Sequence, residues 1–328
     1  MSTAPRLQVV YVAGFATVQD LGRRGYRILG VPISGALDRL SAAYANALVG
    51  NPSSYAVVEV FGSVKLRPTV DTVVAVTGGY PRVFVGDVEV APWAPFYCRA
   101  GSEVSVVPTG RGYAHYVAIS GGVLCEEVLG SVSTYVRGGF GCLGRALRPG
   151  DELGLRAVGA DEVWDRVRRV KPPGEVVARS ADPGDPAVLR ATEGIHAYLL
   201  GDLSTLLTSE YTVTPESDRM GYRLDGPPLA TAFKLGRLPS TPTDRGYVQV
   251  PPDGRPIVLM ADAQTTGGYA VALHVVQPDT DILAQLRPGR RVRFKLVSLE
   301  EAEEITSKYL AELENPTLAL AEEEEYWI

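Results

Sequence analysis

Two stretches concentrate the side chains that could do chemistry. Residues 216–223, ESDRMGYR, put Asp218 and Arg219 side by side. Residues 249–266, QVPPDGRPIVLMADAQTT, carry a short apolar run that opens into Asp262, Gln264, Thr265 and Thr266, followed by Gly267-Gly268. A carboxylate, an amide and two hydroxyls just beyond a buried strand make a recurrent kind of ligand site, and glycines there let backbone approach a ligand closely. Asp218 or Asp262 could serve as a general base, and Gln249 and Gln264 could read an amide. Arg219 could hold an anion, or pair with Asp218 as a structural bridge. A hydrogen-bonded turn would also account for 262–268, but four polar groups converging there put the functional reading ahead.

In the first half, residues 18–27, VQDLGRRGYR, gather Asp20, Arg23, Tyr26 and Arg27, and residues 33–38, ISGALD, open a helix. Unpaired N–H groups at a helix start bind anions, so Ser34 or the Gly35 backbone is a candidate anion contact. A simple cap by Ser34 or Asp38 is an equal alternative. His115, His196 and His274 are scattered, two of them within apolar strand patterns, so no metal site is expected. Cys98, Cys125 and Cys142 show no Cys-x-x-Cys spacing, which suggests a reduced, cytoplasmic chain without structural zinc. Residues 139–144, GFGCLG, match GxGxxG formally, but no helix start follows and no P-loop is present.

The elements that must position these groups are mostly strands. Apolar, β-branched runs at 72–77, 83–90 (with a Gly86-Asp87 turn), 104–107, 113–119, 247–250, 257–260, 269–276 and 292–297 are punctuated by 35 glycines and 24 prolines. Helices are expected at 38–49, stopped by Gly50, and at 298–313, where Ser298 and Glu301 form a capping box. This predicts a mainly β fold and not a doubly wound sheet. The expected domains are 1–168 and 187–314, joined by a Pro- and Gly-rich linker at 169–186 and followed by an acidic tail at 315–328. GYR, TGGY and LRPG each recur once in the same order in the two halves, which favours two related β-domains.

A length of 328 residues leaves room for about two domains. No run of ~18 apolar residues is present, so no membrane span is expected, and the N-terminus does not read as a secretory signal. The net charge of −6 sits at the end: from Glu300 on there are ten glutamates against one lysine, leaving 31 basic and 28 acidic residues before it. Without a basic run, nucleic-acid binding is not expected. Five lysines against 27 arginines, with three asparagines and six glutamines, suit a thermophile or a GC-rich genome.

These segments also carry a resemblance. TVQDLGRRGYRILGVPISGALD with ANALVGN, then DRMGYRLDGPPL, GYVQVPPDGRPIVLMADAQTTGGY and AQLRPGRRVRF, resemble the urea amidolyase-related, or biotin-dependent carboxyltransferase, family over about 17–294. The chain departs from the family pattern at Arg24 and Ala270, where proline is usual, and in ATEGIHAYLL at 191–200. It also has Leu143-Gly144-Arg145 where the family has EGR. The resemblance implies two cyclophilin-like β-barrel domains and a smaller partner subunit of a related family. The first implied activity is that of a subunit of an ATP-dependent 5-oxoprolinase opening a lactam to glutamate, with ATP shared with or held by the partner. The second is transfer of a carboxyl group from carboxybiotin to a urea-like amine. The chain lacks a Met-Lys biotin-acceptor pair, so that biotin would sit on another protein. The third is non-catalytic regulation of a partner protein. Asp218 and Asp262 are the candidate catalytic carboxylates. Arg23, Ser34, Gly35, Arg219, Gln249, Gln264 and Thr265 are the candidate substrate contacts. We expect Asp218, Arg219, Gln249 and Asp262 to line one pocket with Arg23.

Overall fold

The longest ladder in the molecule pairs Arg6–Gln19 antiparallel with Val57–Pro68. Neither strand is expected from the sequence, because Gly14 and Gly62 interrupt the apolar alternation. The two glycines lie opposite each other in the register, with φ of +108° and +116°. A Cβ on Gly14 would lie 2.1 Å from the Phe61 carbonyl oxygen, and one on Gly62 would lie 2.1 Å from that of Ala13. Only glycine lets this ladder continue through that point.

The computed structural model describes residues 4–321. They form two compact units. The first comprises the chain up to Gly22, Asp38–Asp182 and the residues from Ala311 on; the second comprises Arg23–Leu37 and Pro183–Leu310. The chain is mainly β, as the strand-rich punctuation predicts. In the first unit a ten-stranded sheet buries Leu7, Val9, Val18, Val58, Val60, Val74, Val117 and Leu153 in one core. The expected hairpin is present, with Arg82–Val85 paired to Val88–Val90 around Gly86 at φ +59°. In the second unit seven strands close a barrel in the order Ala187–Glu193, Ala270–Val275, Tyr247–Val250, Ile257–Leu259, Gly221–Asp225, Tyr211–Val213, Arg291–Leu296. The parallel pairing of the last strand with the first completes the ring.

Both expected helices form, Arg39–Leu48 and Leu299–Glu314. Asp38 caps the first by accepting from the Ser41 N–H at 2.9 Å. Further helices lie where the sequence predicts none. Gln277–Ala284, QPDTDILA, hides its helix behind polar residues: Asp279, Thr280 and Asp281 are almost fully buried because arginines reach them.

Three expectations need correction. The linker at 169–186 holds a helix, Gly174–Ala181, anchored where buried Ser180 accepts from the Gly79 N–H at 2.9 Å. The start of the acidic tail is paired, Ala319–Leu320 with Val170–Lys171, while residues 322–328 lie outside the described part. The chain is also not fully reduced. Cys125 and Cys142 are joined in a disulfide, and only Cys98 remains a thiol. Spacing alone could not pair two cysteines that the fold brings together across a turn-rich loop. Of the recurring strings, LRPG behaves alike in both halves: Gly150 and Gly289 have φ of +93° and +90° and donate to Val9 and Val213 carbonyls at 2.8 Å. GYR does not, being a helical turn at Arg27 and a strand at Gly221.

Candidate functional site

The polar groups of the second unit gather at the end of the barrel strand Ile257–Leu259. The residues that follow it are laced to the turn before Gly221–Asp225. Met260 N–H donates to the Met220 carbonyl at 3.0 Å and Asp262 N–H to that of Arg219 at 2.9 Å. This places the Asp262 carboxylate against the Arg219 guanidinium, with Nε to Oδ2 at 2.8 Å and Nη2 to Oδ1 at 3.1 Å. Such a forked pair is both strong and geometrically fixed. Arg219 Nη2 also donates to the Gly35 carbonyl at 2.8 Å, and the Ser34 N–H donates to Ala261 at 3.0 Å. The Ser34-Gly35 loop is therefore held against the strand end. Ser34 is 2% exposed, has φ +57°, and its Oγ meets no hydrogen-bond partner among the described residues.

A second group lies along the same loop. Gln264 Nε2 donates to Gln249 Oε1 at 3.2 Å. Gln249 is 1% exposed, and its Nε2 has no partner among the described residues. A Cβ on Gly267 would lie 2.8 Å from that nitrogen, so the glycine makes room for the amide. Thr243 supports the loop from the other side, its hydroxyl donating to the Gln264 carbonyl and its N–H to that of Thr265 at 3.0 Å. A buried amide donor left unsatisfied costs on the order of 1–3 kcal/mol, which a ligand carbonyl could recover.

The expected residues do not all serve one cluster. Asp262, Arg219, Ser34 and Gly35 come together, as do Gln249, Gln264 and the Thr265 backbone. Asp218 is exposed and accepts from the N–H groups of Met220 and Gly221 in its own turn, at 2.8 and 3.2 Å. Arg23, expected from the first domain, belongs to the second unit; it is buried, and its N–H closes a loop onto the Ile33 carbonyl at 2.8 Å. Asp20 is an internal anchor of the first unit, accepting from Gly22, Ser131 and Val132.

Sequence reasoning missed Arg245, Asp281, Thr280 and Tyr309. Arg245 Nη1 donates to the Ala36 carbonyl at 3.2 Å and Nη2 to that of Leu37. Its Nε reaches Thr280 Oγ1 at 2.9 Å and Nη2 reaches Asp281 at 2.9 Å, while the Tyr309 hydroxyl donates to Asp281 at 2.7 Å. The one mark in the sequence is a threonine flanked by two aspartates at 279–281, a polar run that reads as solvated surface. No group of three or more His, Cys, Asp or Glu is placed to hold a metal among the described residues. Burial pushes His115 down to about 4, against a hydrogen bond from Nδ1 to the Gly78 carbonyl that favours its protonated form.

The chain has known relatives. A family model described as the carboxyltransferase domain, subdomain A and B, matches residues 29–296. The chain belongs to that family. It is 33% identical over 305 residues to a protein of Haemophilus influenzae named as a 5-oxoprolinase subunit, covering 92% of this chain and 94% of that one. A protein of the same name from Escherichia coli is 32% identical over 312 residues, covering 90% and 93%. Among solved structures, the urea amidolyase of K. lactis superposes with a TM-score of 0.85 at 26% identity, over 96% of this chain and 20% of that one. This is the family whose resemblance the motifs carry.

Proposed function

We propose that this chain is a subunit of an ATP-dependent 5-oxoprolinase, opening the lactam of 5-oxoproline to glutamate together with a smaller related subunit in the cytoplasm. The observation that carries the reading is the buried amide pair. Among the described residues, Gln249 offers an unpartnered Nε2 beside an Oε1 that accepts one bond, from Gln264 at 3.2 Å. One amide face can thus donate to a lactam carbonyl and accept from a lactam N–H. Two relatives named as 5-oxoprolinase subunits, similar along almost their whole length, support it.

A lactam resists hydrolysis because its nitrogen lone pair is delocalised into the carbonyl. ATP supplies the phosphoryl group that turns the lactam oxygen into a leaving group. The sequence carries no P-loop, so we assign the nucleotide to the partner subunit or to a site shared with it. The residues of this chain would hold and orient the ring through Gln249 and Gln264, and stabilise charge developing on oxygen with preorganised N–H groups. Water then adds at the ring carbon and the C–N bond breaks, the nitrogen taking a proton to become an amine; this leaves γ-glutamyl phosphate, and a second water cleaves it to glutamate and inorganic phosphate. The Arg219–Asp262 pair, beside the amide group on the same loop, would hold the Ser34-Gly35 loop in place next to the bound ring.

The test is direct. The chain, its smaller genomic neighbour and the reconstituted pair are each assayed for glutamate formed from 5-oxoproline with ATP. Activity of the complex with little in either part supports the reading; a complex that forms no glutamate overturns it. Similarity to urea amidolyase favours one second reading, carboxyl transfer from a biotin carried by another protein to a urea-like amine. Dependence of turnover on bicarbonate and biotin would select it.

A further inference from the structure

The loop from Ser34 to Leu37 is held by two separate arginine–aspartate clamps, and this has a consequence for its N–H groups. Arg219, paired to Asp262, takes the Gly35 carbonyl. Arg245, paired to Asp281, takes the carbonyls of Ala36 and Leu37. Three successive carbonyls are thus fixed on guanidinium groups. A trans peptide holds its C=O and the following N–H in opposite directions. The Gly35 carbonyl on Arg219 therefore turns the Ala36 N–H away from that guanidinium. Neither this N–H nor that of Gly35 meets an acceptor among the described residues, although Ala36 is fully buried. The hydroxyl of Ser34, 2% exposed, is likewise without a partner there. Ser34 and Gly35 both lie in the left-handed region, at φ +57° and +85°. Consecutive N–H groups in such a turn form a concavity that suits an anion.

We infer that Ser34 Oγ with the N–H groups of Gly35 and Ala36 forms a cradle for one oxygen of an anion, a carboxylate or a phosphoryl group, and that Arg245 is the positioning residue that keeps it formed. Arg219 and Arg245 are then clamps behind the cradle and not the anion's own partners, since their forks already hold aspartates and backbone carbonyls. The second clamp is the more heavily built. Asp281 is 1% exposed and held by Arg245 and Tyr309, and Thr280 receives Arg245 Nε. A lysine at 245 could not reach these acceptors together, because it has one nitrogen where arginine has a planar fork. The inference rests on the proposed reaction only for which anion arrives: the carboxylate of 5-oxoproline or the phosphoryl group placed on its lactam oxygen.

The experiment titrates the full-length chain with inorganic phosphate and, separately, with acetate, following backbone amide resonances of Gly35 and Ala36. Glutamate formation by the reconstituted complex is measured in parallel. The wild-type chain should show saturable shifts of both amides with at least one probe, and the probe that shifts them tells phosphate from carboxylate. Ser34→Ala should weaken that binding about 10-fold, and Arg245→Lys by at least as much, with the Ala36 resonance displaced even before anion is added. In turnover, Arg245→Lys should lower kcat at a retained melting temperature. Tyr309→Phe, which leaves Arg245 in place, should give a smaller effect of the same kind. Amides unmoved by both probes, or Ser34→Ala and Arg245→Lys binding like the wild type, would overturn the cradle. Anion binding that depends on these residues in a complex that makes no glutamate leaves the cradle standing and removes the proposed reaction. Full 5-oxoprolinase activity in both variants does the reverse.

Discussion

Asp262 meets Arg219 through both carboxylate oxygens, at 2.8 and 3.1 Å, and each of the two side chains is only 8% exposed. A carboxylate held this way is fixed in orientation, and both of its oxygens are already engaged. That favours a role in holding the site over one as the base that activates water. Removing one partner of a buried pair leaves the other charge buried and uncompensated, which costs about 3–5 kcal/mol, whereas replacing both with apolar groups is far milder. We therefore expect Arg219→Met and Asp262→Leu each to lower stability by that amount. The double variant should regain most of it, and all three should lose turnover of the complex. Denaturant titrations beside activity assays decide the matter. Additive losses in the double variant would show that the two side chains do not act as a pair.

Asp218 behaves differently although it is adjacent in sequence. Its carboxylate accepts from two N–H groups of its own turn. An asparagine oxygen can do the same. Asp218→Asn should keep glutamate formation within about threefold and shift stability by less than ~0.5 kcal/mol, the usual range for a surface position. A loss of turnover near 100-fold at unchanged melting temperature would restore Asp218 as a general base.

The contrast between these neighbours shows what local sequence can reveal. The strands Thr72–Thr77, Val104–Val107 and Tyr247–Val250 were legible because their short, valine-rich runs are bounded by turn residues. The frame strand Arg6–Gln19 was not, since its central glycine makes sense only once Gly62 lies opposite it. Gln249, Gln264 and Asp262 could be nominated from the polar stretch 249–266, and Arg219 from ESDRMGYR at 216–223. Arg245 could not. Its partners are Ala36, Leu37, Thr280 and Asp281, tens to hundreds of residues away, and nothing near position 245 marks an arginine that will be buried. The same limit applied to the cysteines, which the fold pairs and spacing does not.

That pairing has a measurable consequence. The Cys125–Cys142 bridge closes a loop with a sequence separation of 17, and in the chain-entropy account such a loop is worth about 3 kcal/mol. Ser131 and Val132, which hold Asp20, lie inside it. Cys125→Ser with Cys142→Ser should lower stability by roughly 2–4 kcal/mol. In the native wild type no thiol should react with iodoacetamide near neutral pH, because burial pushes the Cys98 thiol up to about 11. Denaturation should expose one thiol without reductant and three with it. Three reactive thiols before reduction would show that the bridge does not form.

His115 should make the first unit sensitive to acid. Its ring is fully buried, Nδ1 donates to the Gly78 carbonyl at 2.6 Å, and burial pushes its pKa down to about 4. An unfolded histidine titrates near 6.5. Between these values the unfolded chain binds a proton that the folded chain refuses, so stability is full above about pH 6.5 and falls as pH drops toward 4. The whole window amounts to on the order of 3 kcal/mol. Carboxylates also titrate toward the lower end of this window, so the variant must isolate the imidazole. His115→Asn keeps a side-chain N–H of similar reach for the Gly78 carbonyl but cannot take up a proton. Denaturant titrations of both proteins at pH 7.5, 6 and 5 should give a gap in stability that shifts in favour of the variant by about 2 kcal/mol from pH 7.5 to 5. Parallel curves would mean that His115 is protonated in the fold as readily as in the unfolded chain, with Nε2 reaching solvent or an acceptor that the native packing does not provide.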